Sequence, residues 1–379
     1  MVLLQHGVSP AYSFLHMDHP FLGQVLDTLS NGGTGVSIFF VLSGFLITYL
    51  LIREFELRKK ISLKNFYIRR ILRIWPLYYA VLLFAFAAYP LMKQLIGLNH
   101  PLGSHVGWYL TFLSNFDVIH IHKTCYGNDA MSQGITWSVA VEEQFYLFWP
   151  LIFVILPKKW WGISILSVLA GSILFRVLHY GDNEILYFHT LSVLCDLAIG
   201  GFFAYAIRTR NRIRKFFENS DTLLHAVLLG TTFVLLLFYR QVFAFPYGNA
   251  VGRIFISGLF AFIIAAQALT VNHSRLNLGN LSFARKWGKY TYGIYLIHPI
   301  AFTLLDVLIR VSHVPVENFT GAIVRAALGI TLALFMSKMS YIYLESRFLK
   351  LKQQFSPSNQ ARFQPHHSVS WNEEVAKLA

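Results

Sequence analysis

Apolar residues run along the chain in long blocks separated by short polar and charged stretches, and this alternation predicts a series of membrane-crossing helices. A bilayer core about 30 Å thick takes roughly 20 mostly apolar residues per helix. Nine blocks reach that order of length, approximately residues 35–52, 74–92, 137–156, 161–178, 189–207, 223–239, 251–271, 290–309 and 322–344. Only helices satisfy so much lipid-facing backbone without a closed barrel, and the blocks are too long for barrel strands. The expected fold is an all-α, polytopic transmembrane helical bundle.

The connecting segments set the orientation. Residues 53–73 hold Arg53, Arg58, Lys59, Lys60, Lys64, Arg69, Arg70 and Arg73 against Glu54 and Glu56. Arg208, Arg210, Arg212, Arg214 and Lys215 form a second basic cluster, and Lys158 with Lys159, residues 275–289 and the stretch after Glu345 add three more. Lys and Arg gather on cytoplasmic loops. All these clusters fall on that side only if 105–120, interrupted by Ser114, Asn115 and Asp117, does not complete a crossing. Residues 93–136 are then one long external region. Residues 7–34 are external too, and residues 1–6 read as the outer end of a first span whose earlier part is missing. The expected organisation is a transmembrane domain over 1–345 and a cytoplasmic C-terminal tail over 346–379, in the plasma (inner) membrane.

Composition agrees. The 379 residues are 55% apolar and 13% charged, against about 25% charged in soluble domains, and mean hydropathy is +0.50. The formal charge of +14 is read as topological and not as a nucleic-acid footprint. Cys125 and Cys195 are too few for a disulfide framework, and no metal-ligand spacing, Walker loop or dinucleotide fingerprint is present. No cleavable signal sequence opens the chain, and the Asn31-Gly32-Gly33 fragment reads as a turn.

Charge inside a membrane is costly, so ionisable groups in the blocks mark candidate chemistry. Glu142 and Glu143, in Trp137-Ser138-Val139-Ala140-Val141-Glu142-Glu143-Gln144-Phe145-Tyr146, are adjacent carboxylates that raise each other's proton affinity and so suit acid or base work; a solvated, inert pair is the other reading. His6, near an outer helix end, titrates near neutrality, and His298 precedes a helix-distorting Pro299. Arg70 and Arg73, three apart, share a helical face and offer bidentate forks to the phosphates of a nucleotide-bearing co-substrate or to anionic lipid headgroups. Asp196, Arg176, Arg253, Asp306 and Arg325 are intramembrane ionisables to which the sequence assigns no role.

Together these segments resemble acyltransferase family 3, the integral membrane acyltransferases of polysaccharides, lipopolysaccharide and macrolides. The resemblance is carried by residues 35–48 with Ser43, 66–79 with Arg-x-x-Arg, 137–150 beginning at Trp137, 292–299 ending in His298-Pro299, and Tyr343-Leu344-Glu345. It implies ten core spans, matched by nine full spans plus the remnant of the first. It further implies an acyl-CoA donor, usually acetyl-CoA, no metal, and a hydroxyl of a carbohydrate or glycolipid acceptor. His6 resembles the essential histidine of the family's first helix, and the arginine that precedes it there by about ten residues would lie before Met1. Glu142 and Glu143 match the family's Glu pair, and Arg70 and Arg73 its phosphate-binding arginines. The closing Glu345-Ser346-Arg347-Phe348 departs from the family's acidic-x-Pro-Phe. The expectation is a CoA held near Arg70 and Arg73, its pantetheine arm reaching outward, with His6 acting on the acceptor hydroxyl or transiently carrying the acyl group. Glu142 or Glu143 balances its charge. A transporter or flippase of lipid-linked sugar, and a catalytically inactive relative, fit the same residues. The acceptor, the acyl chain and the oligomeric state are not legible.

Overall fold

A computed structural model of the chain describes residues 1–8, 20–95, 97, 104–124, 134–270, 276–312 and 318–355; Cys125 and the chain beyond 355 lie outside the described residues. All regular structure among the described residues is helical. Eight helical stretches are long and apolar enough to cross a membrane: Gly23–Arg58, Leu63–Leu95, Thr136–Ile155, Lys158–Leu178, Asn183–Thr209, Gly248–Leu269, Thr291–Val311 and Phe319–Phe355. Each overlaps one of the apolar blocks.

The sixth block differs. It forms the 16-residue helix Thr222–Leu237, only about 24 Å long, which meets Asn211–Glu218 at a bend of 94°. Asp221 ends the bend by accepting the Leu224 N–H at 2.9 Å, an N-cap. The short arm carries Arg212, Arg214 and Lys215 and is strongly basic. The sixth block is thus one arm of a bent pair, and counted as one span that pair brings the total among the described residues to nine.

Residues 105–120 do not cross. They form Val106–Leu110 and Ser114–Thr124, and the backbone breaks at Phe112, where φ is 57°. The Asn31-Gly32-Gly33 fragment is a helix start and not a free turn. Asn31 Oδ1 accepts the Thr34 N–H at 3.0 Å and caps the Gly32–Arg58 helix.

The chain divides into two compact units. One comprises Met1–Val36, Lys64–Val141 and Tyr290–Ser356. In it, the short helix Val2–Val8 packs on Thr291–Val311 and Phe319–Ser340. Gly7 permits that approach, since a Cβ there would stand 3.3 Å from the Phe302 ring. Gln5 accepts the Gly32 N–H at 3.0 Å. The last two long helices are clasped by Arg325, which donates twice to Asp306 at 2.6 Å. Past Ser340 the chain stays helical through a π turn, Tyr341–Glu345, into Ser346–Lys352. Arg69 donates to the Phe355 carbonyl at 2.8 Å, so the basic start of Leu63–Leu83 and the end of the described chain share one side of this unit.

The second unit is built from Ser37–Leu63 and Glu142–Lys289. Two glycines bring its central helices into backbone contact. A Cβ on Gly44 would fall 1.9 Å from the Leu197 carbonyl oxygen, and one on Gly200 would fall 2.0 Å from that of Val41. Small residues at such crossings let membrane helices associate by close packing. The buried Asp196 takes both forks of Arg253, at 3.2 Å and 2.8 Å, and the Ser257 hydroxyl at 2.8 Å. Arg176 donates to the Leu186 carbonyl at 3.0 Å and to the Ser192 hydroxyl at 2.5 Å. These intramembrane charges are thus neutralised or hydrogen-bonded within the unit. Arg208 pairs with Glu56, placing two of the basic clusters at the same end.

Candidate active site

The first unit brings His6 and His298 together, their ring centroids 5.0 Å apart and the planes inclined by 52°. His298 is fully buried in Thr291–Val311, and its Nδ1 lies 3.1 Å from the Ile294 carbonyl. A carbonyl accepts only, so Nδ1 carries the proton in a neutral ring and Nε2 is left as the basic nitrogen. Among the described residues, that Nε2 has no hydrogen-bond partner. Pro299 lacks an N–H, yet the helix runs on through Val311. His6 is half-buried, with the Arg325 guanidinium within electrostatic range. Tyr295, one turn before Pro299, has its hydroxyl 2.5 Å from that of Ser138 and donates to the Ile135 carbonyl at 3.2 Å.

The carboxylates divide. Glu142 is buried in the second unit and receives the Ser43 hydroxyl through a short hydrogen bond and the Tyr146 hydroxyl at 2.8 Å. Glu143 is half-buried. Adjacent helical residues point about 100° apart, so the two acids occupy different faces. Trp137 is buried at the start of the same helix, Thr136–Ile155.

Arg70 and Arg73 lie on one helix as the spacing predicts, with Arg70 buried and its guanidinium 5.7 Å from the Phe66 ring. The structure adds to them the neighbouring Arg69 and, from the far end of the chain, Lys352, which has all three arginines within electrostatic range.

Several partners were not singled out from the sequence. Tyr146 stands four residues after Glu142, a spacing that signals a helical neighbour once the acid is suspected. Thr48 accepts the Trp149 indole N–H at 2.8 Å, a second polar clasp between the helices joined by Ser43 and Glu142. Lys352 carries no local signal, because its meaning depends on where the helix after Glu345 goes.

The chain matches the acyltransferase domain family over residues 1–338. It is 28% identical over 347 residues to a Staphylococcus aureus protein provisionally named an O-acetyltransferase, covering 85% of this chain and 53% of that protein. It is 28% identical over 339 residues to Bacillus subtilis YrhL, provisionally named a peptidoglycan O-acetyltransferase, covering 83% and 50%. It is 27% identical over 339 residues to the peptidoglycan O-acetyltransferase OatA of Listeria monocytogenes, covering 84% and 51%. The chain thus spans about half the length of these curated relatives. No solved structure matches it significantly. With the five sequence segments in order, a helical membrane bundle around them and a family match over nearly the whole length, this chain belongs to acyltransferase family 3.

Proposed function

We propose that the protein is a membrane O-acyltransferase that moves an acyl group, acetyl in the first instance, from acyl-CoA to a hydroxyl of a carbohydrate or glycolipid acceptor. The observation that carries this reading is the His6–His298 pair. A half-buried imidazole stands against a second imidazole whose proton is fixed on Nδ1 by a backbone carbonyl. Such a pair keeps a base available at neutral pH in a setting where an ionised acid would be costly.

In this reading His6 takes the proton of the acceptor hydroxyl. The hydroxyl oxygen then bonds to the thioester carbonyl carbon, the carbon–sulfur bond breaks, and the proton passes to the departing thiolate. Glu142, set by Ser43 and Tyr146, is assigned as the acidic group of the reaction, with Glu143 beside it on the helix. Arg70 and Arg73 are assigned to the donor's phosphates, for which guanidinium forks are suited. The relatives named as peptidoglycan O-acetyltransferases support a glycan as the first acceptor to try. The clustering of basic residues at one end of each unit supports a cytoplasmic donor side and C-terminus, in the plasma membrane.

The test is purified protein in proteoliposomes, supplied with acetyl-labelled acetyl-CoA and peptidoglycan-derived glycan fragments. Base-labile label on the glycan, lost in His6→Ala, is expected. Hydrolysis of acetyl-CoA without any glycan ester, or glycan movement without CoA release, overturns the reading.

A further inference from the structure

The helix Asn211–Glu218 divides its residues among three faces. Ile213, Phe216 and Phe217 recur at i, i+3 and i+4 and form an apolar face. Arg212 and Lys215, three apart and both exposed, form a basic one. Arg214 donates to Glu218 at 2.7 Å, so that cation is balanced within the helix. Among the described residues the side chains of Arg212 and Lys215 make no ion pair or hydrogen bond. The helix starts two residues after Thr209, where the crossing stretch Asn183–Thr209 ends, and the apolar helix Thr222–Leu237 leaves it at 94°. With Thr222–Leu237 in the hydrocarbon, this arm lies along the membrane surface, where helices with basic and aromatic faces settle.

Beneath the arm runs a groove of about 390 Å³, walled by Phe202, Phe203, Ala206, Phe216, Phe217 and Phe262. Phe217 belongs to the buried cluster of Phe45, Tyr49 and Ala265, which gives the groove a fixed floor. Beside it is a polar hollow of about 460 Å³ that carries Arg212, Lys215 and Asn219. Arg212 and Phe216 line both, so the two are continuous. The acid of the hollow is Asp221, whose carboxylate is turned to the Leu224 N–H as an N-cap. An apolar groove that opens beside two unbalanced cations matches a molecule with both a hydrocarbon chain and a phosphate. Free phosphate leaves the phenylalanines uncovered, and a lipid without net charge leaves the cations unmatched. We propose that this arm holds one anionic phospholipid, its phosphate on Arg212 and Lys215 and an acyl chain along the phenylalanine groove. The lipid would seal the seam between Thr190–Thr209, Asn211–Glu218 and Gly248–Leu269. None of these residues is assigned to acyl transfer, so the site stands or falls independently of that reading.

Native mass spectrometry of the full chain in detergent, with phosphatidylglycerol, phosphatidylcholine or glycerol 3-phosphate added, tests it. Wild type is expected to retain one phosphatidylglycerol about tenfold or more tightly than phosphatidylcholine, and glycerol 3-phosphate should not displace it. Arg212→Gln combined with Lys215→Gln, both at exposed positions, should abolish the preference while the protein still folds. Phe216→Ser, 52% exposed, should weaken retention of both lipids. Lys158→Gln combined with Lys159→Gln, an exposed basic pair elsewhere, should change nothing. Equal retention of the two lipids by wild type overturns the proposal. So does a preference that survives loss of Arg212 and Lys215, or one that falls as far on loss of Lys158 and Lys159. Displacement by glycerol 3-phosphate overturns it too, since the groove would then have no part in binding.

Discussion

The Ser43 hydroxyl donates to the carboxylate of Glu142, a residue 99 positions away in the sequence, and Tyr146 donates to the same carboxylate oxygen. A buried carboxylate needs such donors. Removing one, in Ser43→Ala or Tyr146→Phe, should cost about 1–3 kcal/mol of stability, seen as a lower melting temperature in detergent. Glu142→Gln keeps an oxygen acceptor of the same shape and should still fold. On the proposed role, acetyl transfer should fall by about 10²-fold or more. Full turnover in Glu142→Gln would reduce this residue to a clasp between helices.

His298 makes a separable prediction because it is fully buried while His6 is half-buried. His6→Ala should lower kcat by about 10²–10⁴-fold, with little change in affinity for CoA. His298→Phe keeps the ring volume but loses both the Nδ1–H held by Ile294 and the basic Nε2. It should shift the pH profile of kcat/KM, because His6 would lose the imidazole whose ring centroid stands 5.0 Å from its own. Its KM for acyl-CoA should stay the same. A change confined to protein yield, with an unchanged profile, would make His298 a packing residue.

The fold was legible because membrane helices announce themselves by length and apolarity, and eight of the nine blocks became crossing stretches. The exception, 223–239, is one arm of a bent pair for a local reason: Asp221 caps a helix that sets off in a new direction. Of the site residues, Arg70 and Arg73 lie on one helix as i, i+3 geometry requires. Glu142 and Glu143 are adjacent in sequence but point about 100° apart on their helix. Ser43 and Glu142 meet through tertiary packing, as do His6 with His298 and Lys352 with the arginines. No local spacing encodes those contacts. Here the family segments supplied the residues and the packing supplied the pairs.

Gly44 and Gly200 predict a packing failure independent of chemistry. Each faces a backbone carbonyl of the partner helix at a distance no Cβ tolerates, and a backbone atom cannot rotate away as a side chain can. Gly44→Ala or Gly200→Ala should force the Gly32–Arg58 and Thr190–Thr209 helices apart at a cost of about 1–3 kcal/mol or more. Size-exclusion profiles and melting temperatures should show a loss of folded protein for both. Gly171→Ala has nothing within 4 Å of the new Cβ and should behave as wild type. If the crossing variants match Gly171→Ala, the helices do not approach as closely as described.

Asp117, in the Ser114–Thr124 helix outside the crossing stretches, carries the clearest pH prediction. Burial holds its carboxyl above the ordinary value, against the opposing pull of His105, the Tyr109 hydroxyl and His120. One of its oxygens, Oδ2, accepts no hydrogen bond among the described residues. The folded protein therefore keeps this proton at a pH where the unfolded chain has already released it. Protons bound more tightly by the folded state make stability fall as pH rises from the ordinary carboxylate range through the raised value. Asp117→Asn cannot ionise, so its advantage over wild type should be small near pH 4 and grow toward about pH 7. Paired melting curves of the two proteins in the same detergent cancel the contributions of carboxylates that do not act on Asp117. A difference that stays flat across that range, or that favours wild type at neutral pH, would mean that His105, Tyr109 and His120 outweigh the burial of the carboxylate.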